Sequence, residues 1–298
     1  MTQAVIINEV GARDGLQNQH ARIDVDAKLE LITAFVAAGL PAIEATSFVS
    51  PKAVPQMADA DVLCSRLPAS GKVQYSALTP NLRGLERARA AGMREIAVVL
   101  SATDTMNLRN INMDLAASTA VCSETIRMAK EYGMRGKAYV AVAFECPYEG
   151  QVPAPRVLEL CEAMITAGAD EIVIADTIGA ANPAQVKTLV GECVRRYGAQ
   201  RVSAHFHDTR GFALANVWAS LEAGVRKFDT SIGGLGGCPF APGAAGNVAT
   251  EDVVLFVEQC GLTTGVDIVK LRLAVKIAER LVGQALGGRT SRWLRSRD

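Results

Sequence analysis

The tripeptide His205-Phe206-His207 is the clearest candidate for chemistry, because the chain has only three histidines and two of them lie two residues apart. In a β-strand, residues i and i+2 face the same side, so both imidazoles would converge on one point, as a divalent metal ion requires. The surrounding sequence, RVSAHFHDTRG, runs from an apolar strand into a turn. A structural alternative is that the two histidines are only the hydrogen-bonded polar end of a core strand.

The composition argues against several classes of function. The 31 basic and 31 acidic residues cancel and form no basic stripe, so nucleic acid is not a predicted partner. Seven cysteines without a C-x-x-C motif indicate neither a disulfide framework nor a thiolate zinc site. No apolar stretch reaches the ~18 residues of a membrane helix, and the N-terminus has no leader-like pattern. The sequence therefore predicts a cytoplasmic protein that does not bind a membrane.

Short β-branched runs alternate with segments of helical periodicity along almost the whole chain. The predicted strands are 5–10, 42–49, 73–79, 95–102, 137–144, 171–177, 202–208 and 227–234. The clearest helical segments between them are 26–39, 81–92, 155–168 and 212–224. Each of these helical segments ends in glycine, which favours the left-handed conformation that closes a helix. The pattern is a weak internal repeat of β-α units.

Eight such units predict a (β/α)8 TIM barrel, for which about 250 residues is the usual size. The competing fold, a doubly wound open sheet, normally carries a G-x-G-x-x-G fingerprint after its first strand, whereas this chain has GARDGLQN. We therefore predict one catalytic domain over 1–298, with the barrel at about 4–262. An amphipathic helix at about 267–286 would form a C-terminal extension that packs on the barrel or on a partner subunit.

The polar residues at the C-terminal ends of the strands are the candidates for function, because barrel enzymes keep their active sites there. They are Arg13, Asp14, Glu44, Asp176, His205, His207, Cys238 and Asn247. A carboxylate, two imidazoles and an amide oxygen make a ligand set suited to Mg²⁺, Mn²⁺, Co²⁺ or Zn²⁺. A structural zinc site is not predicted, because the set contains no thiolate ligands.

Several of these candidates also have a structural interpretation. Asp14 could cap a turn, and Glu44 could form an ion pair with Arg13 inside the barrel. Asp176 could simply support the ring of polar side chains. A lone cysteine is more often a small buried hydrophobe than a reactive group. Cys238, however, lies in GGLGGCPFAPGAAGN, whose glycines let the backbone approach a ligand closely, so we interpret its thiol as reactive and the loop as a lid.

Five segments carry motifs of a known family. They are EVGARDGLQN (9–18), IEATSFVSPKAVPQM (43–57), ECPYEG (145–150), HFHDTRGFALAN (205–216) and GLGGCPFAPGAAGNVATED (234–252). Together they resemble the 3-hydroxy-3-methylglutaryl-CoA lyases, within the metal-dependent barrel enzymes that share an Arg-Asp pair after strand one. The resemblance covers about residues 5–282, and the glycine loop with Cys238 is its most specific motif. Condensing synthases of the same group are similar to this chain in the H-x-H motif but not in the glycine loop. They typically read RDGEQ where this chain reads RDGLQ.

The resemblance implies a role for each candidate residue. The implied metal ligands are Asp14, His205, His207 and Asn247. Arg13 would bind substrate and stabilise the developing enolate oxygen, and Glu44 would be a further active-site carboxylate. Cys238 would act as an acid/base, and His205 is our candidate for taking the substrate hydroxyl proton.

The implied reaction is cleavage of the acyl-CoA thioester (S)-3-hydroxy-3-methylglutaryl-CoA to acetyl-CoA and acetoacetate, as in leucine degradation. The expected cofactor is a divalent cation, with magnesium or manganese favoured. Closure of the lid would exclude water from the carbanion. A homodimer is compatible with the apolar C-terminal helix.

The chain departs from the usual form of these motifs in a few loops. Ala12 stands where proline is usual, Arg210 where tyrosine is usual, and Glu145 where glycine is common. The segment 101–114 keeps Asn-Ile-Asn at 110–112 and differs on both sides of it. Because these loops could touch the acyl group, a lyase for isohexenylglutaryl-CoA or citramalyl-CoA is an alternative. Two further alternatives are a Claisen-condensing acyltransferase and a non-catalytic barrel protein.

Overall fold

The computed structural model describes residues 4–19, 21–69, 71–237 and 246–296. Within these ranges, the barrel strands are β1 Ile6–Glu9, β2 Ala42–Ser47, β3 Gln74–Leu78, β4 Glu95–Ser101, β5 Arg135–Ala141, β8 Glu171–Asp176, β9 Val202–Phe206 and β10 Lys227–Thr230. These eight parallel strands close into a barrel in the order β1-β10-β9-β8-β5-β4-β3-β2, which confirms the predicted (β/α)8 fold. Two short strands, β6 Glu145–Cys146 and β7 Gly150–Gln151, form a separate antiparallel hairpin.

Helices surround the barrel. They are α1 Val25–Ala37, α2 Ala60–Ser65, α3 Leu82–Ala90, α4 Asp104–Ile111, α5 Leu115–Glu131, α6 Ala154–Ala167, α7 Pro183–Tyr197, α8 Ala213–Glu222, α9 Thr250–Gln259, α10 Ile268–Val282 and α11 Arg289–Arg295. None of the helices in the described ranges is long and apolar enough to cross a membrane.

Local sequence explains where these elements begin and end. The Asp24 carboxylate accepts the N–H of Ala27 at 2.9 Å and caps α1. Helix α6 ends at Gly168, whose φ of 105° lies in the left-handed region. Strands β2, β8 and β9 are buried at every residue, as expected for parallel strands covered on both faces.

The last strand is shorter than predicted. We expected it to reach residue 234, but β10 ends at Thr230 and a 3-10 turn follows at Ile232–Gly234. The reason is that Gly233 and Gly234 adopt φ values of 62° and 69°, which turn the chain out of the strand direction.

The predicted C-terminal helix is present as α10. Leu271, Ala274 and Ala278 are buried, and the helix packs against α1, whereas Val269 and Leu273 are exposed. The extent of the single catalytic domain stays a prediction.

One short helix was not predicted. Helix α11 is anchored by two adjacent buried carboxylates of α9. Ser291 Oγ donates to Glu251 at 2.7 Å, and Thr290 N–H donates to Asp252 at 2.7 Å.

Candidate metal centre

The two histidines of the H-x-H motif lie at the C-terminal end of β9. His205 is in the strand, His207 directly follows it, and Phe206 between them points into the apolar core. The two imidazole ring centroids are 5.2 Å apart, and both side chains are buried. The alternation of a strand therefore directs both rings to the same side, as the sequence predicted.

Asp14 is brought to the histidines by a turn that directly follows β1. The residues Gly11–Gly15 form one π-helical turn in which Arg13, Asp14 and Gly15 all donate their N–H to the carbonyl of Val10. Asp14, His205 and His207 each offer a ligand atom, and these atoms lie within 4.8 Å of one another. The structure thus assembles three of the four predicted metal ligands in one place.

Asn247 lies beside this cluster. It pairs with His207 in an isolated antiparallel bridge, and its Nδ2 donates to Asp14 Oδ2 at 2.8 Å and to the carbonyl of Leu235 at 3.2 Å. Its Oδ1 is buried and has no hydrogen-bond partner among the described residues. A buried amide oxygen without a partner is costly, and a cation would offset that cost. The side chains therefore fit a divalent ion with mixed oxygen and nitrogen ligands.

Arg13 lies between two carboxylates at the edge of the cluster. Its Nε donates to Glu44 Oε2 at 2.7 Å, and its Nη1 donates to Asp14 Oδ1 at 2.6 Å. The structural interpretation of Glu44, an ion pair with Arg13, is thus present, and its active-site role stays a prediction. Glu44 Oε1 is buried without a hydrogen-bond partner in the described part of the chain.

The electrostatics of these two carboxyl groups differ. Burial would raise the pKa of Asp14, but Arg13 and then the two histidines lower it below its ordinary value. Burial raises the pKa of Glu44, and Arg13 and Lys137 only partly oppose this effect. Asp14 is therefore the carboxyl group better suited to bind a cation in its ionised form.

Asp229 on β10 orients His205 and was missed in the sequence. Its Oδ2 lies 3.2 Å from His205 Nδ1 and accepts the Tyr139 hydroxyl at 2.6 Å, and its Oδ1 accepts from Asn8 Nδ2 at 2.7 Å. Burial would raise the pKa of Asp229, but the His205 contact lowers it to about 2. Because Nδ1 faces this carboxylate, Nε2 is the nitrogen left for a metal ion. The sequence signal that could have identified Asp229 is a polar residue inside an otherwise apolar barrel strand.

Glu9 at the end of β1 was also missed. Its Oε1 accepts the N–H of Gly11 at 2.7 Å and of Ile232 at 3.0 Å, and its Oε2 accepts the Thr250 hydroxyl at 2.5 Å. It thereby joins the turn that carries Arg13 to the 3-10 turn after β10. Burial raises its pKa to about 8 despite these hydrogen bonds.

Asp176 borders the ligand cluster, since its carbonyl accepts the N–H of His207 at 3.3 Å, but it is not one of the converging ligands. Its two carboxylate oxygens accept the backbone N–H groups of Ala180 at 2.9 Å and Ala181 at 3.0 Å. Burial raises its pKa to about 6, and these hydrogen bonds oppose the increase. The contacts agree with the supporting role that was one interpretation of this residue.

Cys238, the predicted acid/base, lies outside the described residues, and so does the third histidine, His20. The described residues that flank 238–245 in the chain border the cluster. Asn18 Nδ2 donates to the carbonyl of Gly237 at 3.1 Å, and a Cβ placed on Gly236 would lie 2.7 Å from Asn247 Nδ2. The glycine at 236 therefore permits the loop to pass directly beside a predicted ligand.

Known proteins are similar to this chain over nearly its whole length. The family described as HMGL-like matches residues 4–277. The hydroxymethylglutaryl-CoA lyase of Bacillus subtilis is 44% identical over 285 residues, which cover 96% of this chain and 95% of that protein. The hydroxymethylglutaryl-CoA lyase of Pseudomonas mevalonii is 41% identical over 298 residues and covers 97% of this chain and 99% of its own. A solved HMG-CoA lyase from Acinetobacter baumannii, in complex with coenzyme A and 3-methylmalate, has a TM-score of 0.93 at 38% identity, over 97% of this chain and 94% of that one.

Proposed function

Because this chain belongs to the HMGL-like family, we propose that it is a divalent-metal-dependent carbon–carbon lyase acting on an acyl-CoA. The proposed reaction is cleavage of (S)-3-hydroxy-3-methylglutaryl-CoA to acetyl-CoA and acetoacetate. The observation that carries the proposal is the convergence of Asp14, His205 and His207 at the C-terminal mouth of the barrel, with the buried Asn247 Oδ1 beside them. Relatives named as lyases of this substrate over nearly the whole length support it.

Asp14, His205, His207 and Asn247 are the residues that would hold the ion, which supplies Lewis-acid polarisation of the substrate's hydroxyl and carboxylate oxygens. Magnesium or manganese is the proposed identity, because a carboxylate and an amide oxygen are part of the set. The proposed ligands come from the turn after β1, from the C-terminal end of β9 and from residue 247, which follows the glycine-rich loop.

Cleavage begins with loss of the C3 hydroxyl proton. His205 is the proposed acceptor, and Asp229 stabilises the positive charge that an extra proton would create, from 3.2 Å away. Because Nδ1 faces Asp229, Nε2 is the nitrogen at which His205 would accept the proton, and it could do so only while this atom is not a ligand of the ion.

As the C2–C3 bond breaks, its electron pair moves onto C2 and the thioester oxygen. Arg13 is proposed to stabilise this charge with its guanidinium, which is buried and fixed by Glu44 and Asp14. Burial would lower the pKa of Arg13, but Glu44 and then Asp14 raise it above its already high value, so the guanidinium stays charged throughout. Glu44 is thus proposed to act on the site by holding Arg13.

Cys238 is proposed to protonate C2 of the acetyl-CoA carbanion. The stems of its loop lie against Asn18 and Asn247, which supports the proposal that the loop acts as a lid over the ligand cluster. A closed lid would keep bulk water from quenching the carbanion.

The cellular setting is proposed as the sequence predicted it, with a cytoplasmic location and a role of the reaction in leucine degradation. A homodimer is proposed through the exposed apolar residues of α10.

The test is product analysis of the EDTA-stripped and the Mg²⁺-reloaded protein incubated with (S)-3-hydroxy-3-methylglutaryl-CoA. We expect acetoacetate and acetyl-CoA in equal amounts, and only from the reloaded protein. Metal binding without cleavage would reject this substrate and direct the search to isohexenylglutaryl-CoA or citramalyl-CoA. Release of free CoA from acetyl-CoA and a 2-oxo acid would instead favour a condensing acyltransferase.

A further inference from the structure

Two of the departures from the usual motifs, Glu145 and Arg210, meet in the structure. They are 65 residues apart in the chain, and Arg210 Nη2 donates to Glu145 Oε1 at 2.8 Å. Glu145 begins the β6–β7 hairpin, and Arg210 lies in the loop that follows β9 and His207. An acid and a base that replace two uncharged motif residues thus form one contact.

This contact joins three loops at the mouth of the barrel. Arg210 Nη1 also donates to the carbonyl of Ala180, in the loop after β8, at 3.3 Å. The loops after β8 and β9 are themselves packed closely, since a Cβ on Gly179 would lie 2.8 Å from the backbone N of Thr209. Because β5, β8 and β9 are neighbours in the barrel, the three loops form one continuous wall beside the histidines.

The hairpin 145–151 is held on its other side by α4. Glu149 Oε1 accepts the N–H of Thr105 at 2.8 Å, and the Arg109 guanidinium lies 4.5 Å from the centre of the Tyr148 ring. The hairpin is therefore tied to α4 on one side and to Arg210 on the other. Residues 104–111 belong to the other segment in which the sequence differs from the usual motif.

The backbone that leads into the hairpin is strained. Val142 has a φ of 48°, a value that a β-branched residue rarely adopts. Its N–H donates to Thr177 Oγ1 at 2.8 Å, which directs the chain from the end of β5 towards the end of β8. Strain of this kind persists only where surrounding contacts impose it, and it is frequent at ligand-binding sites.

We propose that the Glu145–Arg210 ion pair is a specificity-determining latch, which holds the hairpin against the loop after β9 and limits the acyl group that the mouth accepts. The pair is partly exposed, with 32% and 46% of the two side chains accessible. An exposed ion pair contributes little to global stability. The ion pair instead affects the position of the hairpin, because the hairpin lies outside the barrel strands. The inference rests on the proposed function, because it concerns the acyl-CoA bound at the same site.

The test compares four variants with the wild type. Arg210→Gln and Glu145→Gln each break the pair, and the exchanged double variant Arg210→Glu/Glu145→Arg restores it. Arg195→Gln breaks a comparable exposed pair on α7, remote from the mouth, and serves as the control. For each protein, kcat/KM and the dissociation constant of the EDTA-treated form are measured for 3-hydroxy-3-methylglutaryl-CoA and for a 3-hydroxyacyl-CoA with a longer C3 substituent.

The latch predicts that both single variants shift the preference towards the longer substrate by about 2- to 5-fold, the range expected for one exposed ion pair. The exchanged variant should return to the wild-type ratio, and Arg195→Gln should not move it. An unchanged ratio in both single variants, or an exchanged variant that behaves like them, would overturn the proposal. If the wild type binds these thioesters without cleaving them, the proposed function is wrong. The ratio of the dissociation constants for the two thioesters then still tests the latch.

Discussion

The two ends of the barrel interior both carry buried charges but use them differently. At the N-terminal end, Lys137 Nζ lies 2.9 Å from Glu95 Oε1, and Lys227 Nζ lies 2.6 Å from Glu171 Oε2. Each lysine there faces a carboxylate, and all four side chains are largely buried. The two charges in each pair compensate each other, so removal of a pair should affect folding before function.

At the C-terminal end, the ligand atoms outnumber the cations that they contact. Asp14, His205 and His207 converge, and Arg13 is the cation bonded to Asp14 among the described residues. Asn247 Oδ1 and Glu44 Oε1 are among the buried oxygens at this end that have no hydrogen-bond partner in the described part of the chain. Polar residues in a barrel are therefore candidates for binding when they converge without compensating one another's charge, and structural when they do compensate it.

The substitution His207→Ala should have the largest effect on function. It removes a predicted ligand, so metal binding and activity should be lost together, with kcat reduced by at least about 10³-fold. Equilibrium dialysis against Mn²⁺ and turnover of the same samples check this. A variant that keeps full metal affinity and activity would remove the assignment of the histidine pair. The fold should persist in circular dichroism, since the change lies at the mouth.

The two ends should respond to pH with opposite sign. Burial raises the pKa of Glu9 at the C-terminal end to about 8, so the folded protein holds a proton that the unfolded chain has released. Its contribution to stability is therefore full below about pH 4.5 and is lost as the pH rises through 8, by at most about 5 kcal/mol. Glu251 faces Glu9, and its repulsion acts in the same direction.

Glu95 at the other end behaves in the reverse way. Burial would raise its pKa, but Lys137 and Lys227 lower it. Its contribution to the free energy of unfolding is therefore present when the pH is above the ordinary pKa of a glutamate, and it is lost as the pH falls through the lowered pKa. Urea unfolding between pH 5 and 8 should show stability falling with pH in the wild type and less steeply in Glu9→Gln. Equal slopes in the two proteins would contradict the account of Glu9.

Breaking the lysine pairs should destabilise the fold while leaving the site intact. Lys137→Met leaves the buried Glu95 carboxylate without its closest cation, and the free energy of unfolding should fall by about 3–5 kcal/mol. The double variant Lys137→Met/Glu95→Leu should recover much of this loss, because it removes the uncompensated charge. Metal stoichiometry measured below the unfolding transition should stay that of the wild type. A selective loss of metal would show that the two ends are not separate in function.

Cys238→Ser should separate metal binding from catalysis. The thiol is proposed as the proton donor and not as a ligand, so metal affinity should be retained while kcat falls by about 10²-fold. Cys64→Ser is a control, because Cys64 is a buried thiol on α2. A fully active Cys238→Ser would remove the assignment of this thiol.

Asp229→Asn should have a smaller effect that sharpens the assignment of His205. The neutral amide oxygen accepts the imidazole N–H more weakly than a carboxylate does, so metal affinity should fall by about 10- to 100-fold. Tyr139→Phe removes only the hydroxyl that supports Asp229 and should weaken binding less. Titration calorimetry measures the affinity of both variants for Mn²⁺ independently of turnover. Unchanged affinity in Asp229→Asn would show that the carboxylate does not orient the ligand.

The periodic parts of the chain were predictable from the sequence because local patterns determine them. The β-branched runs and the helical segments that end in glycine predicted the barrel, and the two-residue spacing of His205 and His207 predicted the centre of the site. The π-helical turn at Gly11–Gly15 was not predictable, since it depends on three N–H groups sharing the carbonyl of Val10.

Contacts between distant strands could not be read from the sequence. Asn8, Tyr139 and Asp229 come from β1, β5 and β10 and meet only when the barrel closes. The Arg210–Glu145 contact likewise depends on two loops that a local pattern does not relate. In each case the sequence marks a polar residue at an unusual position, and only the topology supplies its partner.

The most direct test of the central claim is a stepwise Mn²⁺ titration of the EDTA-stripped protein, with bound metal and formation of acetoacetate measured at every step. The account predicts that activity is absent at the start, rises in proportion to bound metal and saturates at one ion per chain. Full activity before any metal is added, or saturable binding without any gain in activity, would contradict it.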